Sequence, residues 1–118
     1  MKRIESRVDT SSEAYQRNHA AISAIVADFR ARQERARHLC PPRDLMRLRS
    51  QNKLLPRERL DLLLDPGTPF LEFSSLAACG QYDDEVPGAN VITGLGVVSG
   101  REVLIHCDNS GIKGGAWY

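Results

Sequence analysis

The chain has 118 residues, a formal net charge of +1 and a hydrophobic content of 42%. This length allows one small domain, and the composition is ordinary for a globular protein. No apolar run approaches the ~20 residues that a membrane-spanning helix needs, so we expect no membrane partner. The first residues are charged and lack the apolar core of a secretory signal, so we expect no such signal.

The cysteines, Cys40, Cys79 and Cys107, are odd in number and widely spaced. Their spacing does not match the CxxC or Cys/His patterns of zinc sites, so we expect reduced thiols in a cytoplasmic protein. Three consecutive acids, Asp83 to Glu85, are more often solvated or paired with arginine than bound to a cation. The sequence therefore predicts no metal ligand.

Charge is distributed unevenly along the chain. Residues 1–59 carry 14 basic and 7 acidic side chains, whereas residues 60–118 carry 2 basic and 8 acidic ones. The two halves either attract each other or the basic half meets an anionic partner. The arginines are mixed with acids and alanines, without interleaved aromatic residues, so a nucleic-acid partner is not expected.

Helices are predicted in the first half. Thr10-Ser-Ser-Glu13 has the spacing of a capping box, which predicts a helix from there to about Leu39 with one narrow apolar stripe. Pro41-Pro42 ends it, a second helix is predicted over Arg43 to Arg49, and a third begins at Pro56. We expect Leu60, Leu63 and Leu64 to pack inward from the third helix.

Strands follow residue 68. A short strand is predicted at 70–73, and a hairpin is predicted from Val91 to Val98 and from Glu102 to Cys107, with Ser99-Gly100 as its turn. Gly94 and Gly96 indicate either a close backbone approach or a bend. Because a two-stranded hairpin is too small to be stable alone, we expect the chain to be a truncated domain.

The residues with chemical potential are few. Adjacent glycines and a lysine at Lys113-Gly114-Gly115 could hold phosphate, although a simple turn is the alternative. His106 and Cys107 are neighbours on a strand, so their side chains should point to opposite faces and cannot form a nucleophile–base pair. No catalytic residue is predicted.

Five motifs occur in an order that resembles the carboxyltransferase (beta) subunit of biotin-dependent acyl-CoA carboxylases, of the methylcrotonyl-CoA or geranyl-CoA type. They start with an opening helix and end with a glycine loop. They are Lys53-Leu-Leu-Pro-Arg-Glu-Arg59, Leu62-Leu-Leu-Asp-Pro-Gly-Thr-Pro-Phe-Leu-Glu72, Asp83-Asp-Glu-Val-Pro-Gly-Ala89, Gly94-Leu-Gly-Val-Val-Ser-Gly-Arg101 and Lys113-Gly-Gly115.

The resemblance implies a fold, a reaction and partners. The fold would be an incomplete crotonase-like (ClpP-like) α/β carboxyltransferase N-domain, with a helical arm and linker at residues 1–52 and the start of the N-domain at 53–118. The reaction moves a carboxyl group from carboxybiotin, carried on a biotin carboxylase/biotin carrier subunit, to an acyl-CoA. Lys113, Gly114 and Gly115 would be CoA contacts, and the full-length form would be a homo-oligomer.

Three interpretations of the chain remain open on the sequence. It is the N-terminal piece of such an enzyme, inactive without the remainder, or a non-catalytic module that binds another subunit. The third interpretation is a truncated product without a function of its own. The abrupt stop after a complete hairpin favours the first and third interpretations.

Overall fold

The computed structural model describes residues 5–118. The chain divides into two compact units, one ending at Arg32 and the other covering Gln33–Tyr118. In the described part of the chain, no helix is both long enough and apolar enough to cross a membrane. Every contact between two residues from Gln33 onward lies within the second unit.

The first helix, α1, spans Glu13–His38 and ends close to the predicted Leu39. The predicted capping box at Thr10 is wrong, because Ser12 is the residue whose hydroxyl accepts the Tyr15 N–H, at 3.3 Å. A turn before the helix causes this shift: the Asp9 carboxylate accepts the Ser11 N–H at 2.9 Å, and the Asp9 carbonyl accepts the Ser12 hydroxyl at 2.8 Å. The helix therefore starts two residues later than a Thr10 cap would allow.

Two short helices follow, α2 at Pro42–Ser50 and α3 at Pro56–Leu63. Proline begins α3 as predicted, whereas α2 begins at Pro42, one residue before the predicted Arg43. Leu48 of α2 and Leu60 of α3 are buried. The expectation that Leu63 packs inward is wrong, since its side chain is 48% exposed. The helix ends there, and Leu64 takes an extended conformation that carries it to the core instead.

The strands form a three-stranded antiparallel sheet in the order β1-β2-β3, with β1 at Leu71–Phe73, β2 at Val91–Val98 and β3 at Arg101–Asp108. The expected two-stranded sheet is therefore wrong, because β1 pairs with the other edge of β2. Gly94 makes this possible: a side chain there would lie 2.5 Å from the Leu71 carbonyl oxygen and from the Phe70 ring. Of the two alternatives for the strand glycines, a close backbone approach is confirmed at Gly94, whereas the atoms nearest to Gly96 belong to side chains.

The hydrophobic core lies between α3 and one face of the sheet. It contains Leu60, Ile92, Ile105 and Cys107, with Leu64 and Phe70 among the side chains packed against it. The predicted Ser99-Gly100 turn joins β2 to β3, and both residues have positive φ, at 51° and 73°. This is the turn geometry that matches the twist of a hairpin. Beyond β3 the chain leaves the sheet and enters the loop with the candidate site.

Candidate functional site

The glycine loop, defined here as residues 112–116, follows the end of β3 and contains Lys113, Gly114 and Gly115. All three have left-handed backbone, with φ values of 44°, 71° and 89°. The Gly115 N–H donates to the Ile112 carbonyl at 2.9 Å and closes the turn. Gly114 and Gly115 take this conformation at little cost, because glycine has no Cβ.

Gly114 is the open position of this loop. A side chain at Gly114 would meet nothing within 4 Å, whereas one at Gly115 would lie 3.4 Å from Ser110. Gly114 is therefore not needed for internal packing, and its peptide is accessible to a molecule from outside. Open backbone of this kind suits the close approach of a phosphate or thioester group.

Lys113 is tied to the acidic loop of residues 80–90. Its ammonium group forms an ion pair with Glu85 and lies 5.6 Å from the centre of the Tyr118 ring. The hydrogen bond to Glu85 raises the pKa of Lys113 above its ordinary value. The lysine therefore stays charged, and an anionic ligand would compete with Glu85 for it.

Two of the three consecutive acids have cationic partners. Asp84 pairs with Arg35 near the end of α1, and it also accepts the Gly80 N–H at 3.0 Å. Glu85 pairs with Lys113. Two ion pairs thus link the acidic loop to Arg35 of α1 and to Lys113 of the glycine loop. Within residues 5–118, no cluster of three or more metal-ligating side chains is found.

Asn90 holds the glycine loop in place, and sequence reasoning missed it. Its side chain is 1% exposed, and its carboxamide nitrogen donates to the carbonyls of Ile112, at 3.2 Å, and Ala116, at 2.8 Å. The Asn90 carbonyl in turn accepts the Asn109 N–H at 2.8 Å. The signal available in the sequence was an asparagine between a loop and a strand, which is common at positions with left-handed backbone.

His106 and Cys107 lie on opposite faces of β3, as predicted. Cys107 is part of the core, and burial raises the pKa of its thiol. His106 is exposed, 3.3 Å from the Asp108 carboxylate, with its ring 5.4 Å from that of Trp117. They therefore do not act as a nucleophile and its base.

A cavity of about 350 Å³ lies elsewhere, between the end of α1, α3 and the sheet. Its lining is mainly apolar around Leu60, Leu64 and Phe70, with Arg37 and Arg57 at its border. Lys113, Gly114 and Gly115 do not line it. The candidate site and this cavity are thus different places in this structure.

The carboxyl transferase domain family matches residues 47–118, which is more than half of the chain. The chain belongs to this family. Among curated relatives, the biotin-dependent 3-methylcrotonyl-coenzyme A carboxylase beta1 subunit of Mycobacterium tuberculosis is 48% identical over 101 residues. That match covers 86% of this chain and 17% of the relative.

Solved structures of the carboxyl transferase domain family agree with this assignment. The geranyl-CoA carboxylase beta subunit of P. aeruginosa superposes with a TM-score of 0.79 at 39% identity, covering 97% of this chain and 21% of that one. A transcarboxylase 12S hexamer with methylmalonyl-coenzyme A bound gives 0.65 at 27% identity, covering 80% and 19%. The expected α/β fold of carboxyltransferase beta subunits is confirmed, and the chain spans about a fifth of these relatives' length.

Proposed function

We propose that this chain supplies part of a carboxyltransferase that moves a carboxyl group from carboxybiotin to an acyl-CoA resembling 3-methylcrotonyl-CoA. Support comes from the family match over residues 47–118 and from a relative that is a biotin-dependent 3-methylcrotonyl-coenzyme A carboxylase subunit. In this proposal residues 53–118 are the start of the carboxyltransferase N-domain and residues 1–52 are its helical arm and linker. A cytoplasmic location stays a prediction.

The glycine loop is the proposed contact for acyl-CoA. The observation that carries this assignment is the open, left-handed backbone at Gly114 beside the charged Lys113. In the proposed complex the Lys113 ammonium exchanges Glu85 for a phosphate of CoA, and the Gly114 backbone lies against the ligand. Peptide N–H groups and a lysine are the donors that phosphate and thioester oxygens accept from.

Biotin and the acyl-CoA would come from outside the chain. Biotin would arrive on a carrier subunit paired with a biotin carboxylase, and a homo-oligomer is expected for the full-length form. The hexamer described for transcarboxylase 12S supports the oligomer. Within residues 5–118, the geometry assembles a candidate binding loop but no catalytic set, so we expect these residues to bind acyl-CoA without transferring carboxylate.

The test measures acyl-CoA binding and carboxyl transfer separately. Isothermal titration of the chain with 3-methylcrotonyl-CoA should show binding that weakens in Lys113→Gln. Lys53→Gln is the matched control, because Lys53 is also an exposed lysine but lies outside the glycine loop. Equal affinity in both variants would contradict the assignment of Lys113, and carboxyl transfer from carboxybiotin by the isolated chain would contradict the expected inactivity.

A further inference from the structure

Asn90 is buried where the acidic loop meets the glycine loop. It is the last residue of the acidic loop before β2, and its backbone is left-handed, with φ of 60°. Its carboxamide nitrogen donates both of its hydrogen bonds to carbonyls of the glycine loop, those of Ile112 and Ala116. These two carbonyls lie immediately before and immediately after the Lys113, Gly114 and Gly115 segment. Asn90 therefore forms hydrogen bonds with the residues at both ends of that segment.

The amide of Asn90 matches this hydrogen-bond pattern. Bonding two carbonyl oxygens takes a group with at least two N–H donors, and the NH₂ of asparagine supplies both. With the amide flipped, the oxygen of Asn90 would face two other oxygens. An aspartate would also place an oxygen, here negatively charged, against the two carbonyl oxygens. An apolar side chain would leave both carbonyls without a hydrogen bond from this position.

The other end of the Asn90 side chain is also buried. Its carboxamide oxygen has no hydrogen-bond partner among the described residues. Asn90 lines a small cavity of about 10 Å³ that Arg57, Glu72 and Ser75 also border. That volume is close to the space of a single water. A buried carboxamide with an unsatisfied oxygen is costly, and its presence here fits a residue whose amide nitrogen has a specific task.

We propose that Asn90 is a positioning residue of the candidate site, which fixes the left-handed conformation of Lys113, Gly114 and Gly115 for acyl-CoA. The inference rests on the proposed function of the glycine loop. The competing explanation is that asparagine is present because it tolerates positive φ. Glycine satisfies positive φ better than asparagine but has no amide, so Asn90→Gly separates the two explanations.

The test uses the 118-residue chain labelled with ¹⁵N and ¹³C. In the unmodified chain, scalar couplings across hydrogen bonds should connect the Asn90 side-chain nitrogen with the carbonyl carbons of Ile112 and Ala116. In Asn90→Gly and Asn90→Asp, the Gly115 amide should exchange about tenfold faster or more, because two buried hydrogen bonds are lost. Exchange in β2 and β3 should not change. Asn52→Gly is the matched control, since Asn52 is exposed and also has positive φ, at 55°.

The second readout is affinity for 3-methylcrotonyl-CoA, which should fall about tenfold in both Asn90 variants and stay the same in Asn52→Gly. Unchanged Gly115 exchange in Asn90→Gly would overturn the proposal. If the amides of β2 and β3 also exchange faster in the variants, the variants are unfolding and no longer test the loop. The couplings from Asn90 to Ile112 and Ala116 in the unmodified chain then test the proposal, and their absence would overturn it. Faster exchange in the variants, with no acyl-CoA binding by the unmodified chain, would support control of the loop by Asn90 and overturn the proposed function.

Discussion

The carboxylate of Asp65 accepts the backbone N–H of Gly100 at 2.7 Å, although 35 residues separate the two in the chain. Its second oxygen accepts the Ser99 N–H at the same distance, and the Asp65 N–H donates to the Val97 carbonyl at 2.9 Å. Asp65, two residues beyond the end of α3, thus binds both N–H groups of the hairpin turn. This contact joins the Asp-Pro-Gly motif to the Ser-Gly turn.

Asp65→Ala should destabilise the chain by about 2 kcal/mol, because two hydrogen bonds to a charged acceptor are lost. Asp65→Asn, which keeps one acceptor oxygen, should lose less. Urea unfolding followed by circular dichroism measures both. Asp61→Ala is the control, since Asp61 lies on the exposed side of α3. An equal loss of stability in the two alanine variants would contradict the role of Asp65.

Glu72→Gln should destabilise the chain by about 3 kcal/mol. The Glu72 side chain is 6% exposed and accepts two hydrogen bonds from Arg57, at 2.9 and 3.0 Å, with Arg37 at 3.6 Å. Neutralising it leaves guanidinium groups near the core without their counter-charge. Thermal unfolding of this variant should be compared with that of Glu102→Gln, an exposed glutamate on β3. Glu72→Gln unfolding no earlier than Glu102→Gln would refute this expectation.

The pair of Glu58 and Arg49 should make stability depend on acid pH. The hydrogen bond from Arg49, followed by that from the Leu55 N–H, holds the pKa of Glu58 below its ordinary value. A lowered carboxyl pKa stabilises the folded chain above the unfolded-state pKa, and this contribution disappears as the pH falls through the folded-state pKa. The difference in thermal midpoint between the unmodified chain and Glu58→Gln should therefore shrink below about pH 5. A difference that stays constant with pH would argue against this pair.

Cys107 should react with iodoacetamide more slowly than Cys40 in the folded chain. Burial raises the pKa of both thiols, but Cys107 lies in the core whereas Cys40 is only half-buried. The limited access to a thiol in the core slows its alkylation. Peptide mapping by mass spectrometry over time gives the two rates, with the urea-unfolded chain as reference. Equal folded-state rates would show that Cys107 is not held in the core.

Sequence patterns predicted the elements that depend on near neighbours. Proline at the start of α3 and the Ser99-Gly100 turn are determined by backbone chemistry within a few residues, and both are confirmed. The pairing of β1 with β2 depends on Phe70 and Leu71 approaching Gly94, more than 20 residues away in the chain. Periodicity does not encode such a contact. The glycine within the strand was the available signal, and it left two alternatives.

The candidate site was predicted only in part for the same reason. The Lys113, Gly114 and Gly115 segment is visible as a motif, and its role as a CoA contact stays a prediction. Asn90 lies 22 residues before the carbonyl of Ile112 that it bonds. Asparagine is common in turns, so a single asparagine before a strand does not by itself indicate a hydrogen bond to a distant loop. Only the folded chain brings its amide to both ends of the glycine loop.

Chemical-shift mapping of the ¹⁵N-labelled chain during titration with 3-methylcrotonyl-CoA tests acyl-CoA binding at the glycine loop most directly. We expect the largest shifts on the amides of Gly114 and Gly115, saturating with ligand, with smaller shifts at Glu85 as Lys113 leaves it. Shifts confined to the residues around the large cavity, or no shifts at saturating ligand, would contradict it.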